Sequence, residues 1–379
     1  MDFAVYSNSE TINKQLEWLF ASMCRPIRFT SCCLLLHSSQ QTTKNRRRNF
    51  KQKLRIAWTC ILCAFICIAL VISVCIMPSA YYCIYLIGCI DFFFLIYWNC
   101  SMRKVEYSKR LKKSSIGIGT LKNRKQVMLK RNITVAIGSA WAAVVFAILV
   151  LDFIGVVQLL PRKSLTTFWC CFYLTSLFLV LFCIPSVNCT AFCYMESVAS
   201  EFKNINRDFK NDNNKHQLPV VRHYIRGHGQ LLKLLEVISG AVSAWCSAHF
   251  TMNFIAVYKI ACYLYNFDYD ITRVNQLWNP VMLCFLAVFM LLQSTFILHT
   301  ALKIRYLILG MGSPMMGVAA CDRLPHEQVF PLFSLHLLYL QQKPYGISFF
   351  GCTIIDRHFL VASLLLSGLA AIYCYTKYN

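Results

Sequence analysis

The chain is 379 residues long, 57% of them hydrophobic and 14% charged, with a mean hydropathy of +0.51. A single soluble core of this size cannot bury so much apolar surface, so a large share of it must face lipid. The net charge of +22 arises from 38 Lys and Arg against 16 Asp and Glu, but the cations fall between apolar runs. That placement fits the positive-inside rule and anionic lipid headgroups, and it argues against nucleic acid as a partner.

In chain order, residues 1–55 read as a cytosolic amino-terminal segment ending in the basic run Arg46-Arg47-Arg48. Its one apolar cluster, Cys32–Leu36, is too short for a signal-peptide core, so the first span is expected to serve as the signal anchor. A helix needs roughly 20 apolar residues to cross the hydrocarbon core. Six runs meet that standard: Ile56–Met77, Tyr81–Trp98, Ile133–Leu160, Phe168–Val187, Ile238–Cys262 and Val281–Leu302. Residues 56–302 are therefore expected to hold six transmembrane helices joined by basic cytosolic loops. Residues 303–351 follow as a cytosolic segment, within which Val329–Leu340 is too short to span and predicts an amphipathic helix. A seventh span, from about Cys352 to Tyr375, follows the Pro344–Gly346 breaker, and residues 352–379 hold it with a short extracellular tail.

Lys and Arg set the orientation. The segments 1–55, 99–132, 200–236 and 303–345 hold ten, eleven, seven and four of them, whereas the intervening turns together hold three. All four basic segments share one side only if the amino terminus is cytosolic and, with seven spans, the carboxyl terminus extracellular. The expected class is an all-α membrane protein with a short cytosolic helix before the last span. G-protein-coupled receptors have the opposite orientation. The chain also lacks an acidic-Arg-aromatic triplet at the end of its third span.

No catalytic constellation is visible, so an enzyme is not expected, and no cofactor or metal is implied. Cys60-x-x-Cys63 has no second ligand pair near it and lies in a span. His223 and His228 do not share a helix face, and His326-Glu327 has no second His three residues on. The sequons at Asn99, Asn132 and Asn188 fall on the cytosolic side, where they test topology. Ionisable residues inside spans are costly and tend to face protein or water, which singles out Asp91, Asp152 and Lys259. Asp152, with Phe153, Trp169, Tyr173, Tyr258 and Trp278 at similar depth, forms a candidate outward-facing pocket for a small apolar molecule; an interfacial aromatic belt is the plainer reading of the same residues.

Three features resemble the insect gustatory receptors. They are the order of spans with a cytosolic amino terminus, the stretch Arg222–Gly240 (RHYIRGHGQLLKLLEVISG), and Phe330–Leu360 (FPLFSLHLLYLQQKPYGISFFGCTIIDRHFL). In the last, Gly351, Ile355, Asp356, Phe359 and Leu360 match the family pattern of a Gly, a few apolar residues, Ile/Leu-Asp and a final apolar span. The style is nearest to moth and butterfly receptors. The departure lies in the final span: counted from Asp356, the family's Thr-Tyr and Gln-Phe positions hold Leu369-Ala370 and Thr376-Lys377, or alternatively Tyr373 is the Tyr and the sequence stops before any Gln-Phe.

The resemblance implies a ligand-gated, non-selective cation channel in the plasma membrane, a homo- or heterotetramer with other gustatory receptors. Its ligand would be a small tastant, with bitter plant compounds as the suggested class. The final helix would line the pore, and helical spacing places Leu366, Ala370, Tyr373 and Lys377 on one face with Thr376 beside them. A ring of lysines at Lys377 would repel cations. A non-conducting or modulatory subunit, or a multipass transporter, stays open as the alternative.

Overall fold

The computed structural model describes residues 14–19, 21–36, 46–76, 79–100, 118–153, 167–215, 217–265, 274–312, 315, 326–343, 345–359, 361–363 and 365. The principal helices follow one another within them, after a short helical stretch at 14–19. They are α1 (Arg25–Cys33), α2 (Arg46–Ile76), α3 (Ser79–Cys100), α4 (Ile118–Lys122), α5 (Arg124–Phe153), α6 (Thr167–Asn211), α7 (Leu218–Tyr265), α8 (Val274–Leu309) and α9 (His326–Gln342). A two-stranded hairpin, β1 (Ser348–Phe349) and β2 (Thr353–Ile354), follows α9, and helix resumes at residue 357.

Each of the six expected spans lies largely or wholly within one long helix: α2, α3, α5, α6, α7 and α8. Among the described residues, four stretches are long and apolar enough to cross a membrane: Lys53–Ile72, Cys171–Asn211, Leu218–Cys262 and Pro280–Leu309. Ile84–Cys100 and Pro331–Leu340 are shorter apolar helical stretches. The expected seventh span starts at Cys352, but residues 352–356 belong to the hairpin and the helix cap. Helix is described at 357–359, 361–363 and 365, and Leu360 and the rest of the span lie outside the described residues.

Helix length is where the structure departs most from the sequence reading. Helices α6 and α7 hold 45 and 48 residues. At 1.5 Å per residue each is roughly 70 Å long, more than twice the hydrocarbon thickness. The stretch 200–236, read as a loop from its basic residues, is helix up to 211 and again from 218, with a turn at 213–215. The reason is amphipathicity. Phe202, Phe209, Val221, Leu231, Leu232 and Leu235 are buried, while Lys203, Arg207, Lys210, Arg222, Arg226 and Lys233 are exposed. The helices thus continue as a soluble-style bundle beyond the spans.

Helix α6 is the hub, packing against α1, α2, α3, α4, α5, α7 and α8. Small residues set its closest approaches. A Cβ added to Gly88 of α3 would meet Val180 Cγ2 at 2.7 Å, and one added to Gly138 of α5 would meet the Pro185 Cα at 3.1 Å. Backbones that approach this closely gain dispersion contact in lipid, where no hydrophobic force draws helices together. Pro185 itself lies inside α6. Polar side chains add specificity: Asn253 Nδ2 of α7 donates to Gln293 Oε1 of α8 at 2.9 Å, and Gln293 Nε2 donates to Asn188 Oδ1 of α6 at 3.1 Å. Asn188, one of the three sequon asparagines, is therefore a buried structural link. Asn99 is another, donating to Ser31 Oγ of α1 at 2.7 Å.

Beyond the spans, Glu196 of α6 joins three helices through Lys130 of α5 at 2.9 Å and Lys303 of α8 at 2.8 Å. Burial alone would push its carboxyl upward, but the Lys303 and Lys130 hydrogen bonds and charges hold it below the usual carboxylate range. Glu201 similarly fixes α4, accepting from both the backbone N–H and the hydroxyl of Thr120.

Candidate functional site

The segment leading into the final helix gives the matched motif residues distinct structural jobs. Ser348 pairs with Ile354 and Phe349 with Thr353 in an antiparallel register. The hairpin closes through a Cys352 N–H to Phe349 carbonyl bond of 3.0 Å. The two intervening residues, Phe350 and Gly351, have φ of +48° and +76°. Both are left-handed, as a type I′ turn requires, and only glycine adopts that region without steric cost. Ile355 is buried, and its N–H donates to the Ile347 carbonyl at 2.9 Å. Asp356 Oδ1 accepts the Phe359 N–H at 2.9 Å. That is the N-cap geometry, in which a side-chain oxygen satisfies an orphan donor of the first helical turn. Turn, anchor and cap thus fall to Gly351, Ile355 and Asp356 in order.

Helix α7 holds the hairpin in place. Ser243 Oγ accepts the Ser348 N–H at 3.2 Å and lies 3.0 Å from the Ser348 hydroxyl, and Ser247 Oγ accepts the Phe350 N–H at 2.8 Å. Each serine satisfies a backbone donor on the hairpin. Phe250 of α7 contacts both Phe349 and Phe359, with ring centroids 6.2 and 5.6 Å apart, and Phe349 meets Phe359 at 4.9 Å. The first turn of the final helix therefore rests on α7 through aromatic contacts as well.

The same turns of α7 reach α3 through their other side chains. Trp245 Nε1 donates to Asp91 Oδ1 at 2.7 Å, and His249 Nε2 lies 2.9 Å from the same oxygen. Asp91, Trp245 and His249 are all buried. Aromatic rings surround the group: Trp245 contacts Phe94 of α3 and Phe192 of α6, and Phe192 meets Phe296 of α8 at 4.6 Å. Asp91 stands out in the sequence as an intramembrane carboxylate, and its partners lie 154 and 158 residues away.

The candidate pocket residues are only partly described. Tyr173 is buried on α6 with its ring centroid 5.8 Å from Tyr85 of α3. Tyr258 is half-buried on α7, and Lys259 beside it is exposed. Asp152 and Phe153 lie at the carboxyl end of α5, Trp169 at the start of α6 and Trp278 in the first turns of α8. These four share one end of the bundle, and their side chains lie outside the described residues. The pore-lining candidates Leu366, Ala370, Tyr373, Thr376 and Lys377 also lie outside them. Ser243, Ser247, Trp245 and His249 escaped the sequence reading, because isolated polar residues in an apolar helix carry no spacing signal. Among the described residues no group of three or more His, Cys, Asp or Glu gathers for a metal ion.

No protein-family model matches the chain, and none of the curated proteins matches it. Solved structures do. The chain is similar to the insect olfactory receptor OR5 from Machilis hrabei in complex with eugenol, with a TM-score of 0.68 at 14% identity, covering 97% of this chain and 100% of that one. A second structure of the same receptor matches with a TM-score of 0.64 at 12% identity, covering 95% and 97% of the two chains. The fold is that of the insect olfactory receptor, shared along nearly the whole chain.

Proposed function

We propose that this chain is a subunit of an insect chemoreceptor channel of the gustatory type, a tetrameric, non-selective cation channel in the plasma membrane opened by a small tastant. The observation that carries the reading is the end-to-end likeness in fold to an insect olfactory receptor, including one structure holding a small aromatic ligand. The gustatory assignment rests on Gly351, Ile355, Asp356 and Phe359, whose turn, anchor, cap and packing roles support a specific launch point for the final helix.

In this reading the amino terminus is cytosolic and the final helix lines the pore with Leu366, Ala370, Tyr373, Thr376 and Lys377. A tastant enters among the outer helix ends near Asp152, Phe153, Trp169, Tyr173, Tyr258 and Trp278. A ligand opens such a pore only by binding the open state more tightly than the closed one. Helix α7 is the natural transmitter, since it carries Tyr258 towards one end and the serines that hold the hairpin further along. Helix α9 serves as the subunit anchor. Phe333 and Leu340 are buried, while Leu335 and Leu338 are 64% and 48% exposed, an apolar surface that a neighbouring subunit would cover.

The test is a patch-clamp recording from cells expressing the chain alone under plant alkaloids and sugars. A ligand-evoked cation current lost on truncation before Cys352 supports the reading. Silence despite surface expression favours a second one, a modulatory subunit that conducts only with partners. Lys377 and the missing Thr-Tyr and Gln-Phe pairs favour that alternative, and restoring those pairs would return the current.

A further inference from the structure

A cavity of about 480 Å³ opens between α1, α5 and α6, and none of the hairpin residues, Asp91, Trp245 or His249 lines it. Its walls are Phe29, Val135, Ala136, Phe182 and Pro185, and its charged groups are Arg25 and Arg131. No Asp or Glu lines it. The depth is informative. Arg131 and Asn132 stand immediately before the third expected span, and Pro185 stands near the end of the fourth, so the cavity straddles the boundary where apolar spans give way to basic segments.

Arg131 is held in place. Its Nη1 donates to the Ser22 carbonyl and hydroxyl at 2.9 and 2.7 Å, and its Nε and Nη2 donate to Asn132 Oδ1 at 3.0 and 2.7 Å. All four bonds go to neutral oxygens, so the positive charge is positioned yet not neutralised, with one N–H to spare. Arg25 is exposed and has no acidic partner among the described residues. Phe29 is 63% exposed beside them. Two guanidiniums above apolar walls match a phosphodiester carrying acyl chains: Arg25 can offer a fork to phosphate oxygens, and Arg131 adds its charge and its one spare N–H. A headgroup of zero net charge gains less than an anionic one from a rim that holds two cations and no anion. The volume lies within the roughly 300–1,000 Å³ of small-ligand sites.

We infer that this cavity is a binding site for the headgroup of an anionic phospholipid in the leaflet on the basic side, with Arg25 and Arg131 on the phosphate and one acyl chain along Phe29, Val135 and Phe182. The site rests on reading α5 and α6 as membrane spans, but not on channel activity. Its occupant would lock α1 against α5 and α6, where Ser22, Ser31 and Asn99 already tie the amino-terminal segment to the bundle.

The experiment is native mass spectrometry of the purified full chain titrated with phosphatidylserine or with phosphatidylcholine of the same acyl chains. Phosphatidylserine is expected to be retained preferentially. Arg25→Gln should weaken that retention about fivefold, the effect of one basic residue at an anionic surface, and weaken phosphatidylcholine retention less. Arg131→Lys, which keeps the charge but loses the bonds that fix its position, should weaken it less than Arg131→Gln. Equal retention of the two lipids, or no change in Arg25→Gln, overturns the proposal. Full displacement of the lipid by equimolar glycerophosphoserine also overturns it, in favour of a free phosphate site. A changed oligomeric state in Arg25→Gln, with lipid retention intact, would make the face a subunit contact instead. Since none of these outcomes reads a current, they stand apart from any failure of the channel reading.

Discussion

Asp91 accepts the indole N–H of Trp245 at 2.7 Å inside a bundle whose surroundings are almost wholly apolar. An unmade hydrogen bond is expensive there, because no water replaces the lost partner. Asp91→Ala leaves both Trp245 Nε1 and His249 Nε2 unpaired and should lower stability by about 2–4 kcal/mol. Asp91→Asn keeps an acceptor for the indole and should cost less than half as much. Thermal melting of the detergent-solubilised protein checks this, and a cycle with Trp245→Phe should return a coupling of about 1–3 kcal/mol. Independent, additive effects would mean the contact carries no energy.

The hairpin makes a sharper prediction because one glycine in its turn and one just before it fail for different reasons. Gly351 has open space around a built Cβ but a φ of +76°. Gly351→Ala should therefore cost about 1–2 kcal/mol through backbone strain alone, and no neighbouring substitution should rescue it. Gly346→Ala would bring a Cβ within 2.6 Å of Ile354 Cγ2. Adding Ile354→Ala should recover part of that loss. Rescue of both glycines, or of neither, would show that the turn geometry is not what each position demands.

Much of this architecture is legible in the sequence, and the boundary of legibility is physical. The six long helices follow from apolar runs because lipid imposes a minimum length that composition alone reveals. The basic halves of α6 and α7 are hidden because their Lys and Arg, from Lys203 to Lys233, read as loop until Phe202, Phe209 and Leu231 are seen to share the inner face. Within the hairpin the pattern Gly351, Ile355, Asp356 is visible in one dimension, while the reason for each residue needs a dihedral angle, a burial and a bond. Asp91 betrays itself by being an acid in a span; Trp245 and His249 do not, since pairing across more than 150 residues leaves no local signature.

The buried histidines where α7 meets α9 predict a pH response. His228 Nδ1 of α7 lies 3.2 Å from His336 Nε2 of α9, with Phe202 of α6 against the His228 ring. Burial, then the neighbouring His336, pushes His228 down to about 3, and burial also lowers His336. Both bases are thus neutral when folded and take up protons on release, so stability is full above the unfolded value near 6.5 and falls as pH drops below it. Hydrogen exchange of residues 326–342, corrected for intrinsic rate, should accelerate between pH 7.5 and 5.5. His228→Gln with His336→Gln should flatten that dependence. Glu196 acts in a lower window. Its depressed carboxyl adds stability at neutral pH that is lost as pH falls below about 4.5, so the melting difference between wild type and Glu196→Gln should shrink there.

The last prediction concerns transmission from α7 to the final helix. Ser247 satisfies the Phe350 N–H, and Asp356 satisfies the Phe359 N–H one element later. Neither side chain is needed for the long helices to pack, so Ser247→Ala and Asp356→Ala should reach the cell surface at wild-type levels. If the hairpin couples α7 to the pore helix, each loses about 1 kcal/mol of linkage. Half-maximal ligand concentration should then rise about fivefold with ion selectivity unchanged. The double variant discriminates between models of the coupling. Serial links in one path give less than the product of the two single effects, whereas independent contributions multiply. Unaltered ligand sensitivity in both single variants would leave the hairpin as a passive tether and move the search for the transmitter to the Asp91–Trp245 contact.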